Sequence, residues 1–193
     1  MRVSDNGADQ SAQFYSSSDD LIKRVELPEF HQLLSYIAES LQKTIKAANA
    51  NVWPSKLSLN LEFAGSWFQI QNHGAFHDIH SHGNCSWSGV YYVQLDPAVQ
   101  RHKHKVLGAL NGMTRFYGPY QNWLGGAYMD MGNAYLQQPH FDVCPEAGML
   151  VLFPSYLNHK AMPYEGVNDR IVVSFNVQIH GAQGDKIFNY AAS

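Results

Sequence analysis

From Pro28 onward, apolar residues recur at intervals of three and four, at Leu33, Leu34, Ile37, Leu41 and Ile45. That is the period of a helix with one apolar stripe. Pro28 suits a first turn, where its missing N–H is no loss, and Asn49-Ala50-Asn51 ends the pattern. The spacing predicts one amphipathic helix over 27–50. After Trp53-Pro54 the period drops to two: Leu57, Leu59, Leu61 and Phe63 alternate with Ser58, Asn60 and Glu62, as in a strand with one packed face. Further strands are predicted over 67–72, which Gly74 interrupts, over 88–95, where Val90-Tyr91-Tyr92-Val93 favours extended backbone, over 149–153 before the turn at Pro154-Ser155, and over 170–179. Between 96 and 126 no period is clear. Arg101-His102-Lys103-His104-Lys105 forms a basic run there, and glycines punctuate the rest, which predicts a long loop with short strands over the site. The polar start, 1–24, reads as an arm or a late-docking edge strand.

Strands of this length with turns between them, after a single long helix, predict a sandwich or barrel covered by helix on one side. The chain of 193 residues, 45% of them apolar, has room for one core, so a single domain over 1–193 is expected, its β core at 57–180. The last strand divides into two faces. Ile171, Val173, Phe175, Val177 and Ile179 lie on one, and Arg170, Val172, Ser174, Asn176 and Gln178 on the other. A packed outer face and an inner face carrying an arginine describe a strand that lines a polar cavity.

Composition narrows the partners. Thirteen Lys plus Arg against sixteen Asp plus Glu give a formal charge of -3, which is no footprint for nucleic acid or an anionic membrane. With no apolar run of about 18 residues, no secretory leader and two cysteines that make no disulfide framework, a cytoplasmic protein is expected. Its partner would be a small molecule or peptide, and a homodimer is left open.

Ten histidines change the picture further. His80 and His82 are one residue apart, so on extended backbone both project from one face, roughly 6–7 Å apart along the strand. Two such imidazoles can converge on a metal, and His159, after the 149–153 strand, is the best-placed third ligand. Read structurally, the pair would be a solvated loop. Arg170 follows His159 by eleven residues, which suits a hairpin that puts both on neighbouring strands. A buried guanidinium requires an anion: either a dicarboxylate anchored at its far end while a 2-oxo acid end chelates the metal, or a structural partner such as Asp169 or Glu165.

The segments His80-Ser81-His82, Ser88-Gly89-Val90-Tyr91-Tyr92, Leu152-Phe153-Pro154-Ser155, Asn158-His159 and Arg170 to Asn176 resemble, in order and spacing, those of 2-oxoglutarate/Fe(II) oxygenases. The resemblance spans about 57–179. It implies a mainly β, double-stranded β-helix (jelly-roll, cupin-like) core with the N-terminal helix on one face. It also implies Fe(II) on His80, His82 and His159, 2-oxoglutarate anchored by Arg170, O2 as oxidant, and hydroxylation as the default outcome. Tyr92, Asn72 and Ser174 are the further candidates for contacts to the co-substrate. Three positions depart from the pattern. His82 stands where the wider superfamily has Asp or Glu, Gly83 where the resembling proteins have Pro, and Val172 where they have Ser.

Other constellations compete. His140-Phe141-Asp142 matches His-x-Asp literally but lies where the pattern holds no ligand, and His77-Asp78 reads as strand-edge polarity or a support for a ligand imidazole. His102 and His104 sit among lysines that repel a metal. Cys85 and Cys144 read as small buried hydrophobes, and Trp67, Trp87, Tyr91 and Trp123 as core or wall. Two other classes stay open: a cupin-like three-histidine metalloenzyme that does not use 2-oxoglutarate, and a non-catalytic ligand-binding barrel.

Overall fold

The computed structural model describes residues 9–10, 13–18, 21–54, 57–118 and 140–182. Helix α1 spans Pro28–Ala48, with the proline in its first turn. Asn49 closes it: its backbone N–H and its Nδ2 both donate to the carbonyl of Ile45, at 3.1 and 2.8 Å, which satisfies a carbonyl the helix end would otherwise leave open. The expected stripe is the buried one, since Ile37, Leu41 and Ile45 are inaccessible to solvent.

The described residues hold ten strands, in two antiparallel sheets. The larger contains β1 (Asp9–Gln10), β2 (Phe14–Ser16), β3 (Leu59–Gln71), β5 (Trp87–Gln94), β8 (Leu150–Pro154) and β10 (Arg170–Gly181), in the spatial order β1-β2-β3-β10-β5-β8. The smaller contains β4 (Ala75–His80), β6 (Thr114–Tyr117), β7 (His140–Val143) and β9 (His159–Tyr164), in the order β4-β9-β6-β7. This is a jelly-roll of two facing sheets. The two faces of β10 divide as its sequence requires. Phe175 and Val177 pack on Ile37, Leu41 and Ile45 of α1, while Arg170, Val172 and Ser174 turn toward a cavity between the sheets. Each fully buried apolar side chain in that layer contributes about 1.5–3 kcal/mol of transfer free energy, so α1 is fixed to the outer face and the inner face is left to the site.

Several expectations need correction. The strands read separately as 57–63 and 67–72 are one, β3, because the break in alternation is a β-bulge: Asn176 pairs with Gly65 and Val177 with Phe63, so Ala64 is the extra residue. His159 and Arg170 do not sit on neighbouring strands of a hairpin; β9 and β10 belong to opposite sheets, and the two residues face each other across the cavity. The 101–105 run is not uniformly solvated. Arg101 ends a short helix, α2 (Ala98–Arg101), is 1% exposed, and donates to the carbonyls of Asp96, Asn111 and Pro145. Within 1–24, β2 docks on β3 and buries Tyr15, with β1 outside it at the sheet edge. Trp123 and the 119–126 part of the predicted loop lie outside the described residues. No helix among the described residues is long and apolar enough to cross a membrane.

Candidate metal and co-substrate site

His80 is the last residue of β4 and pairs directly with His159, the first of β9. Residues opposite one another in an antiparallel pair share a face. Two residues beyond the strand, the N–H of His82 donates to the carbonyl of Ser155 at 3.0 Å, which returns its side chain to the same side. The ligand nitrogens of the three imidazoles all lie within 4.8 Å of one another. Nitrogens bound to one ion at about 2 Å are at most ~4 Å apart, so small side-chain rotations close the set.

Backbone carbonyls orient two of the rings. His80 Nδ1 lies 2.7 Å from the Asp78 carbonyl and His159 Nδ1 3.0 Å from that of Leu157. A carbonyl only accepts, so each Nδ1 carries the proton and each Nε2 keeps its lone pair for a metal. It is thus the Asp78 carbonyl, not its carboxylate, that supports His80. The carboxylate points outward to Lys160, 3.3 Å away. Burial pushes His82 and His159 down to about 4, with the neighbouring histidines adding to the effect; the carbonyl of Leu157 partly opposes the shift at His159. Both are neutral at pH 7 and need lose no proton to ligate. Phe153 packs tilted against His159 and Phe116 stacks on it, with ring centroids at 4.6 and 5.7 Å, and Trp67 lies 6.2 Å from His82. These rings wall the site from water.

His77 is the member that spacing alone misplaces. Residues three apart on a regular strand point to opposite faces, yet His77 lines the cavity with its ring 4.2 Å from that of His80. A bulge in β4 between the two causes this: three residues of β4 span two of β9, His77 pairing with Ala161 and His80 with His159. Burial first, then the charges of His80 and Arg170, lowers its pKa.

Arg170 enters from the facing sheet and is 3% exposed. Its Nη2 is 3.4 Å from Thr114 Oγ1, which is hydrogen-bonded to Tyr92 Oη at 2.6 Å, and its guanidinium carbon stands 5.4 Å from the centre of the Tyr92 ring. Arg170 Nε and Nη1 are buried without a protein partner. Neither Asp169 nor Glu165 pairs with it; Asp169 accepts from Asn72 and Glu165 from His104. A buried cation with unused donors fits the carboxylate of an organic acid. Arg170 and the histidines line one cavity of about 50 Å³ that opens to solvent.

Of the other sequence candidates, Ser174 faces the cavity and Tyr92 buttresses Arg170 through Thr114. Asn72 does not reach the cavity. Its Oδ1 accepts from the N–H groups of His73 and Gly166, and its Nδ2 donates to Gly166 and Asp169, so its amide is committed to the turn region after β3. Asp142 accepts twice from Arg115, at 2.7 Å each, on the edge strand β7, which accounts for His140-Phe141-Asp142 without a metal. His104 accepts from the backbone N–H of Leu107. Nothing in the sequence marks Thr114, an isolated threonine in a glycine-rich stretch.

A family model described as "Putative 2OG-Fe(II) oxygenase" matches residues 65–176, from β3 to β10 and including every residue of the histidine–arginine site. The chain belongs to this 2OG-Fe(II) oxygenase family, whose members are enzymes that use Fe(II) and 2-oxoglutarate. Solved structures agree on the fold. An oxidoreductase of the 2OG-Fe(II) oxygenase family from Burkholderia pseudomallei superposes with a TM-score of 0.54 at 9% identity, over 88% of this chain and 70% of that one. A Pseudomonas putida prolyl-4-hydroxylase gives 0.53 at 16%, over 92% and 78%. HygX from Streptomyces hygroscopicus, solved with nickel and 2-oxoglutarate, gives 0.52 at 9%, over 92% and 74%. No curated protein sequence matches the chain.

Proposed function

We propose that this protein is a single-domain Fe(II)- and 2-oxoglutarate-dependent dioxygenase that hydroxylates a small molecule, an amino acid or a peptide side chain. His80, His82 and His159 are its iron ligands, and Arg170 anchors the co-substrate. One observation carries the reading: three converging imidazoles and a buried arginine with unused donors face each other across one cavity. A cupin-like enzyme without an oxo acid, or an idle barrel, gives no reason for such an arginine.

Iron with 2-oxoglutarate supplies the oxidation, in which the oxo acid loses CO2 to become succinate and one atom of O2 enters a substrate C–H bond. The chain's residues bind, orient and exclude. His80 and His159 present Nε2 in a fixed tautomer because backbone carbonyls hold Nδ1. Arg170, steadied by Thr114 and Tyr92, takes the distal carboxylate and so sets how far the oxo end reaches toward the histidines. Ser174, beside the Val172 that replaces the usual serine, offers a hydroxyl on the same face. Phe116, Phe153 and Trp67 keep bulk water from the ligands.

Anaerobic addition of Fe(II) and then 2-oxoglutarate to the metal-free protein tests this. Wild type develops the weak visible charge-transfer band of a chelated oxo acid, and Arg170→Ala loses most of it. Iron binding without a band refutes the co-substrate assignment; absence of iron binding refutes the metal assignment.

A further inference from the structure

The inner face of the larger sheet carries a second polar group with no protein partner. Gln71, the last residue of β3, is 1% exposed, and neither its Oε1 nor its Nε2 meets a donor or acceptor. Buried amides nearby behave differently. Asn111 donates to the carbonyls of Arg101 and Glu165 and accepts from the Glu165 N–H, and Asn72 is committed on both atoms. Folded proteins rarely leave a buried amide wholly unpaired.

Its place in the register explains it. Gln71 pairs with Arg170 across β3 and β10, so the two share a face with Cβ atoms about 4.5–5.5 Å apart. The only buried side-chain nitrogen and oxygen atoms without partners among the described residues belong to these two neighbours. A group that satisfies both must accept from a guanidinium and from an amide NH2 at once, which is what a carboxylate does.

We propose that Gln71 is a second anchor for the distal carboxylate of the co-substrate, donating from Nε2 while Arg170 donates from its guanidinium; Gln71 Oε1 accepts a guanidinium N–H that the carboxylate leaves unused. This rests on the co-substrate reading above and adds a specificity-determining residue to it. A neutral second donor holds the carboxylate without adding positive charge, so the end pocket carries one cation for one anion and favours a 2-oxo diacid over a 2-oxo acid with an apolar tail.

The test is calorimetric titration of Mn(II)-loaded wild type, Gln71→Met and Arg170→Met with 2-oxoglutarate and with 2-oxopentanoate, which lacks the distal carboxylate, alongside thermal unfolding without ligand. Loss of one hydrogen bond to a charged group should raise the Kd of Gln71→Met for 2-oxoglutarate roughly 10- to 100-fold, leave its weak 2-oxopentanoate binding and its Mn(II) content unchanged, and leave its melting temperature equal or higher, because an unpaired buried amide has been removed. Gln71→Glu, which pairs with Arg170 and repels the ligand, should bind 2-oxoglutarate more weakly still, and Gln71→Leu repeats the test should methionine pack badly. If Gln71→Met binds 2-oxoglutarate like wild type while Arg170→Met does not, the anchor role is refuted and the co-substrate reading stands. A variant that melts lower and loses both acids alike shows Gln71 to be structural, which also refutes it. Wild type that binds no 2-oxoglutarate overturns both readings.

Discussion

Gly89 lies at the centre of β5, opposite Phe175 on β10 and Leu152 on β8. A Cβ on Gly89 would stand 2.3 Å from Phe175 Cζ, 2.9 Å from Phe175 Cε2 and 2.9 Å from the carbonyl oxygen of Val151. Nonbonded carbons rest about 3.5–4.0 Å apart, so Gly89→Ala overlaps the ring by more than an ångström. Phe175 cannot swing clear, because it is 1% exposed and packed against Phe63, Ile37 and Leu41. The Val151 carbonyl is fixed between paired strands. Overpacking of this kind costs about 1–3 kcal/mol, and the clash with a backbone atom argues for the upper half. Relief of glycine's backbone entropy returns roughly 0.5–1 kcal/mol. The net expectation is a loss of about 1–2.5 kcal/mol, read from the midpoint of urea unfolding followed by far-ultraviolet circular dichroism with the slope unchanged. Phe175→Leu shortens the offending ring, so the double variant should be more stable than the sum of the two single effects predicts. A Gly89→Ala protein as stable as wild type, or strictly additive variants, would refute the view that this glycine exists to admit the Phe175 ring.

Arg170→Met replaces a buried cation that has unused donors with an apolar chain of similar length. The ligand-free protein should gain up to about 1–4 kcal/mol while 2-oxoglutarate affinity falls roughly 100-fold or more; equal losses in both, by thermal unfolding and calorimetry, would contradict this. Alanine at His80, His82 or His159 should each abolish stoichiometric iron in elemental analysis, whereas His77→Phe should retain it within about tenfold. Asp142→Asn should leave iron content unchanged, since Arg115 already holds that carboxylate; iron loss there would reopen the His140–Asp142 alternative. His82 and His159 titrate at about 4 in the fold against ~6.5 when unfolded. The unfolded chain therefore binds more protons between those values, and the metal-free protein should lose stability as pH falls from about 6.5 to 4 while its stability changes little above 7 on their account. His159→Phe should flatten that slope, and a slope identical to wild type would discount the burial of His159.

What the sequence disclosed follows from how local each signal is. The α1 stripe and the two faces of β10 are strict periodicities, and periodicity survives folding because it is what the core selects. His80 and His82 were legible for the same reason, as neighbours on one face. His159 and Arg170 could be nominated but not related, since which strands neighbour each other is a property of the sheets' closure; a hairpin was the local guess, and a facing pair in opposite sheets is the outcome. Bulges defeated the reading twice, at Ala64, where one strand looked like two, and before His80, where an odd spacing hid that His77 faces inward. A bulge adds one residue without a compositional mark. Gln71 and Thr114 were illegible because ordinary polar residues acquire meaning only from what stands opposite them.

The departure at His82 bears on what the cavity will accept. A carboxylate at that position would cancel part of a divalent ion's charge; a half-buried imidazole, neutral at pH 7, cancels none. No Asp or Glu lines the cavity among the described residues, and Arg170 adds a fixed positive charge at the far end. Low-dielectric walls of Phe153, Val90 and Val172 weaken the screening of these charges. If the three histidines hold a divalent ion, as proposed, a site with that ion at one end, an unpaired guanidinium at the other and no carboxylate between them among the described residues is matched by a ligand negative at both ends. The neutral ligand set and the buried arginine are thus two parts of one demand for a dianion, and replacing His82 by Asp should ease that demand at the metal end while leaving it intact at Arg170.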